Sequence, residues 1–329
     1  MSARLAPLRL AFALLAIGAV LCVVGVAVGS EGWEPLAPWS ADANAAIVWE
    51  LRAPRTLGAW LAGALLGLAG AVAQGLFRNP LADPYLLGSA TGAALGVAVL
   101  LVLAGLAPAA GTVLTTGLGV TGAAFIGATC AVVITLGLAR GVQHTLRLVL
   151  AGVIVGMVAG AMTALVMFRD AEVMRAMQSF LLGTTSFLGW PGVALQAAFL
   201  AIGLAIAVVF GRALDALTLG EATAASLGVA LVPVRRAMIV VLSLATAAAV
   251  AQVGLVAFVG LIAPHLVRGS ARPTHRGLLA LSALTGGALL LAADVVSRWA
   301  FAPRELPVGV VTAVLGGAYL LWAMHRRPA

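Results

Sequence analysis

Long apolar runs broken by short polar interruptions dominate this chain. A lipid hydrocarbon core is crossed by about 20 apolar residues at a rise of about 1.5 Å each. On that ruler the pattern predicts ten spans, roughly 8–29, 50–76, 85–106, 112–139, 147–168, 191–211, 236–251, 254–268, 277–300 and 307–324. The seventh and eighth are short and read equally as one kinked span. The first ends in Ala27-Val28-Gly29, which resembles a leader-peptide cleavage site, but its length favours a retained helix. The polar stretches are too short for a sizeable aqueous domain, so residues 1–329 are expected to form a single transmembrane domain. The fold class expected is all-α and polytopic.

Composition agrees: 63% of residues are hydrophobic and 9% charged, against roughly a quarter charged in soluble domains. The net charge of +8 does not point to nucleic acid, because the arginines are scattered among the inter-span loops. With the N-terminus inside, ten spans place Arg4, Arg9, Arg78, Arg140, Arg147, Arg212, Arg235, Arg236, Arg268, Arg272, Arg276, Arg326 and Arg327 on the cytoplasmic side. Only Arg52, Arg55, Arg169, Arg175, Arg298 and Arg304 stay outside, where Glu31, Glu34, Asp42, Glu50, Asp170, Glu172, Asp294 and Glu305 also lie or adjoin. This asymmetry puts both termini in the cytoplasm.

All 19 basic residues are arginine. A P-loop requires a lysine on the nucleotide phosphates, so this chain carries none and is not itself expected to be an ATPase. Cys22 and Cys130 lie inside apolar runs and read as buried thiols rather than a disulfide. Glycines three or four apart, such as Gly63, Gly67 and Gly70 or Gly88, Gly92 and Gly96, predict close helix packing in lipid. Asp294 stands within a span, four before Arg298, and an i,i+4 ion pair explains it more simply than a proton relay. Ala71-Val72-Ala73-Gln74 recurs as Ala249-Val250-Ala251-Gln252 in an oppositely directed span, as an inverted repeat or a coincidence would produce.

Four segments carry more. FRNPLADPYLLG (77–88) must break the helix twice, at Pro80 and Pro84. LTLGEATAASLGV (217–229) brackets a short helix with Gly220 and Gly228 and sets Glu221 in its first turn, where a carboxylate suits the helix dipole. VGLVAFVGLIAPHLVR (253–268) and AADVVSRWAFAPRELPVGVVTAVLGG (292–317) follow in order. Together with residues 52–88, they closely resemble the FecCD-type permeases, the membrane subunits of bacterial ABC importers for ferric siderophores, haem and cobalamin.

The resemblance implies the type II importer permease fold of about ten helices, in the inner membrane, with no cofactor in this chain. ATP and Mg²⁺ would sit on two partner ATPase subunits. A periplasmic binding protein and a second copy of the chain would complete the assembly. Within a cytoplasmic segment 212–235, it implies ATPase coupling by Leu219, Gly220, Glu221, Ala224, Ser226, Leu227 and Gly228. It implies docking of the binding protein by Arg52, Arg55 and Arg298, whose guanidinium forks match carboxylates. It implies a cytoplasmic gate at Asn79, Leu81, Thr145 and Leu146. The histidines offer no evident axial ligand for haem iron, and iron chelates, haem included, rank ahead of cobalamin only by breadth of the family. The rival reading is a secondary transporter driven by an ion gradient, which would want intramembrane acids in pairs; an ion channel would want a ring of charges or a carbonyl filter.

Overall fold

The computed structural model describes residues 6–29, 32–33, 42–106, 117–139, 141, 145–271 and 273–325. Arg4, Glu31, Glu34, Arg140, His144, Arg272, Arg326 and Arg327 lie outside the described residues. So do the side chains of Asp42 and Thr145.

Helix α1 spans Pro7–Ala27, with proline at its start, where the missing N–H costs nothing. A two-residue antiparallel pair, Val28–Gly29 with Gly32–Trp33, follows. Helix α2 (Asp42–Ile47) continues through a π-helical turn, Val48–Arg52, into α3 (Ala53–Phe77). The apolar stretch 45–77 is 33 residues long. At about 1.5 Å per residue it exceeds a hydrocarbon core of roughly 30 Å, so it has length to spare at its ends. The second span then ends at Arg78, and a 3₁₀ turn, Pro84–Leu87, precedes α4 (Ser89–Leu106). Helices α5 (Gly117–Leu138) and α6 (Thr145–Arg169) pack on α4.

Next comes an element the apolar runs do not predict. Helix α7 (Ala171–Leu182) is too short to span. Asp170 caps it, accepting from the amides of Glu172 (2.9 Å) and Val173 (3.2 Å). Val173, Met177 and Phe180 share one face and are buried. Helix α8 (Trp190–Leu217) leads to the short α9 (Glu221–Ser226) and then α10 (Leu231–Val253). Helices α11 (Val259–Ser270), α12 (His275–Trp299) and α13 (Val308–His325) complete the order.

Among the described residues, seven helices are long and apolar enough to cross a membrane, with shorter apolar helices at Ser89–Gly105 and Val308–Ala323. The predicted seventh and eighth spans are separate elements. Gly254 and Phe258 both take positive φ (68° each) and break the chain between α10 and α11. Helix α11 has 12 residues, about 18 Å, so the irregular 254–258 segment must supply the remaining depth. Bare backbone is tolerated there because it is paired within protein: Leu255 N donates to Phe180 O (3.0 Å) and Thr184 N to Val253 O (2.9 Å).

Helix α3 is the axis of the bundle, buried along most of its length and packed by α8, α10, α11 and α12. Glycine makes this approach possible: a Cβ on Gly63 or Gly67 would overlap the carbonyls of Gly286 and Ser282 on α12. Helix α1 lies against α12 and α3, with Gly18 under Trp60 and Gly25 under Thr56. The first run is thus a packed helix of the bundle.

Candidate functional site

Polar side chains gather at the two ends of the bundle. At one end, which we call basic, lie Arg78, Arg235, Arg268 and Arg276. Gln74, one turn before the end of α3, accepts from Arg268 and donates to the Leu261 carbonyl (3.2 Å). Asp215 accepts from the His275 amide (3.0 Å) and lies 2.7 Å from its Nδ1, tying α8 to the start of α12.

The stretch 77–88 turns at this end. Arg78 closes α3 in the left-handed conformation (φ 51°, ψ 35°). The Asn79 carbonyl and Oδ1 accept from the amides of Ala82 (3.0 Å) and Leu81 (2.9 Å), so this side chain shapes the turn. Gly88 takes φ 79° and, with Gly152, lets the turn lie directly on α6. Leu81 is 60% exposed and Leu146, at the start of α6, 72%. The Tyr85 hydroxyl reaches the Val256 carbonyl at 2.8 Å, so this turn meets the broken segment between α10 and α11.

The segment 217–229 projects at the same end. Gly220 (φ 103°) and Gly228 (φ 80°) bound α9 in conformations that disfavour any side chain. The amides of Gly228 and Val229 fold back onto the Ala225 and Ala224 carbonyls, and Ser226 Oγ donates to the Thr223 carbonyl. Ala224 is buried beneath, while Leu219 (62%) and Leu227 (64%) point outward. Glu221 Oε1 accepts from Arg78 Nη2 (3.1 Å) and lies 2.6 Å from Arg235 Nη2. The dipole argument for Glu221 did not anticipate these two guanidiniums.

At the opposite end the arginines expected to dock a partner lie among internal partners. Arg298 is 1% exposed. Its Nη1 donates to the carbonyls of Gly25 (2.7 Å) and Val28 (2.8 Å), and its Nη2 pairs with Asp294 Oδ2 at 2.6 Å. The expected i,i+4 pair is present, and it draws the guanidinium inward. Arg55 is also largely buried: it bonds Asp294 Oδ1 (3.2 Å) and Glu305 Oε1 (2.9 Å). Thr185 donates to Asp294, and Ser186 to Glu305 (3.2 Å). Two arginines and two carboxylates thus balance in one internal network joining α1, α3, α12 and the loops after α7 and α12. Arg298 therefore offers no guanidinium to an outer partner in this conformation, and Arg55 is committed to the same network. Arg52 closes the π-helical turn with partial exposure. The Glu305 carboxyl is raised by burial, but hydrogen bonding and charge from Arg55 outweigh this and hold it below its ordinary range.

Two hollows complete the picture. A cavity of about 410 Å³ lies between α4, α5, α7, α8 and α10, lined by Val97, Leu101, Phe180 and Pro191, with Thr121 and Gln252 as polar handles. A more apolar groove of about 550 Å³ runs between α4, α5 and α6. Among the described residues, no three His, Cys, Asp or Glu side chains cluster as metal ligands would.

The sequence profile of the FecCD transport family matches residues 13–326. The vitamin B12 import system permease protein BtuC of Klebsiella pneumoniae is 35% identical over 97% of this chain and 94% of its own length. The cobalamin import system permease protein BtuC of Halobacterium salinarum is 38% identical over 85% of this chain and 74% of its own. A solved structure described as an inward-facing conformation of a metal-chelate type ABC transporter superposes with a TM-score of 0.86 at 25% identity, covering 98% of this chain and 100% of that one. PsaBC from Streptococcus pneumoniae shares the fold alone, at a TM-score of 0.57 and 16% identity, over 82% of this chain and 91% of that one.

Proposed function

This chain belongs to the FecCD transport family, and we propose that it is the membrane-spanning permease of an ATP-driven importer that carries cobalamin into the cytoplasm. The observation that carries the cargo is the near full-length likeness to vitamin B12 import permeases. The likeness to a metal-chelate transporter supports a second reading, in which the cargo is an iron chelate such as a siderophore or haem.

The basic end faces the cytoplasm in this reading, with both termini on that side, as the arginine distribution favours. Two ATPase subunits, which hold ATP and Mg²⁺, grip α9 through exposed Leu219 and Leu227. A helix with apolar tips and a buried Ala224 underside suits seating in a groove. A second copy of the chain faces the exposed apolar side of α6, including Leu150, Ile154, Met157 and Leu165, and cargo passes along the shared axis. Leu81 and Leu146 close that path at the cytoplasmic end by excluding water, with Asn79 and Thr145 beside them. A binding protein docks at the far end, where Arg52, Arg55 and Arg298 lie. The chain makes and breaks no covalent bond; it alternates between outward and inward openings as its partners bind and hydrolyse ATP.

Reconstitution with a partner ATPase and binding protein from the same genome tests this. Uptake of labelled cyanocobalamin into proteoliposomes is expected only with ATP inside and all partners present. Uptake by the chain alone, driven by a proton or sodium gradient, overturns the reading in favour of a secondary transporter.

A further inference from the structure

We infer that Glu221 is the positioning residue that carries the stroke of the ATPase-facing helix into the cytoplasmic gate, an inference that rests on the importer reading above. One carboxylate oxygen, Glu221 Oε1, engages two cations from two other elements: Arg78 at 3.1 Å and Arg235 at 2.6 Å. Arg78 closes α3 and opens the turn that bears Asn79 and Leu81, one and three residues on. A displacement of its guanidinium is therefore felt at the base of the gate. Arg235 is 5% exposed, in the second turn of α10. The far end of α10 runs into the 254–258 break, where Val256 holds Tyr85 of the same turn. The short helix α9 is thus pinned to the gate turn directly, through Arg78, and along α10 by way of Arg235.

Charge makes the pin specific. Glu221 places one negative charge between two guanidiniums that belong to different helices. Glu221 and Arg78 are both more than a third exposed, so the pair adds little to folding, and its value lies in keeping two surfaces in register. Gly220 and Gly228 flank the helix in positive-φ conformations, held by backbone hydrogen bonds alone, with nothing within 4 Å of a Cβ added at either. Neither glycine carries a side chain into the bundle, so α9 reaches it through buried Ala224 and through Glu221, of which only Glu221 makes a charged contact with the gate turn.

The test uses the assembled complex with Glu221→Gln, Arg78→Gln and the double variant, and two readouts. The first is the number of ATP molecules hydrolysed per cyanocobalamin imported. The second is the spin-label distance between Pro80→Cys and Ala222→Cys, exposed positions on the same turn and helix, in a Cys22→Ser, Cys130→Ser background, measured nucleotide-free and with ATP and a hydrolysis-deficient partner. The expected result is a single narrow 80–222 distance in both states for the parent. In Glu221→Gln that distance broadens in the ATP state, and the ATP cost per cargo rises several-fold while hydrolysis continues. The double variant should be no worse than Glu221→Gln alone, because the two residues act as one contact. An unchanged ATP-to-cargo ratio with an unchanged distance in Glu221→Gln overturns the pin, including the case where only the yield of complex falls. If the parent shows no ATPase association, the importer reading itself fails and takes the pin with it.

Discussion

The Tyr85 hydroxyl donates to the Val256 carbonyl at 2.8 Å, joining two non-helical segments that enter the bundle from different spans. Both segments are places where lipid-embedded backbone must find partners within protein. Tyr85→Phe should leave the Val256 carbonyl without this donor and lower stability by about 1 kcal/mol. A depressed melting temperature of the purified protein in detergent checks this; an unchanged one means another group takes over.

Asp294 holds the opposite end together. It is fully buried and bonded by Arg55, Arg298 and Thr185. Asp294→Asn should leave two interior guanidiniums facing one remaining carboxylate, costing roughly 3–5 kcal/mol as for other broken buried pairs. Size-exclusion profiles should show aggregated or missing protein. Glu305→Gln, at the exposed rim of the same network, should remain folded.

Acid should probe that rim. Glu305 is held below its ordinary range when folded, so its contribution is present above the unfolded value of 4.5 and is lost as pH falls through the lower folded value. Melting temperature should decline more steeply with acidity in the parent than in Glu305→Gln. Parallel curves would show that the Arg55 contact adds nothing.

Packing makes a sharper contrast. Gly67→Ala drives a methyl into the Ser282 backbone, whereas Gly137→Ala meets nothing within 4 Å. The first should cost on the order of 1–3 kcal/mol and the second close to none, read as paired melting curves.

Leu219 and Leu227 are solvent-facing in the isolated chain, so Leu219→Asp with Leu227→Asp should leave folding intact. Loss of a buried apolar anchor typically weakens an interface by 2 kcal/mol or more, about thirty-fold in affinity. Co-purification of the ATPase subunit should fall accordingly; retention at parental levels would place the contact elsewhere.

Hydropathy alone located the long spans, because each dominates a 20-residue window, but it set several ends about five residues off and left the 12-residue α11 ambiguous with α10. It missed α7, whose twelve residues such a window averages away, although Asp170 and the 173, 177, 180 spacing were there to be read. The third span, α4, starts at Ser89, later than expected, because Pro84–Leu87 form a separate 3₁₀ turn. The segment 217–229 was readable from its two glycines, but the partners of Glu221 were not: Arg78 lies 143 residues away, and only folding brings it near. The burial of Arg298 was hidden from the sequence for a related reason. An arginine near a helix end looks the same in sequence whether it faces out or in, and the rotation of α12 is set by its glycine contacts with α3.

The clamp between Arg298 and the end of α1 carries a consequence for biogenesis. The two partners are separated by 270 and 273 residues. At about 5–20 residues per second of synthesis, the leading helix waits on the order of tens of seconds in the bilayer before its guanidinium arrives. Until then the carbonyls of Gly25 and Val28 lack this donor, and the nascent chain stays open at one side. The last third of the polypeptide therefore completes the seating of the first, so a ribosome that stops short of residue 298 releases a bundle whose opening helix rests on α3 alone.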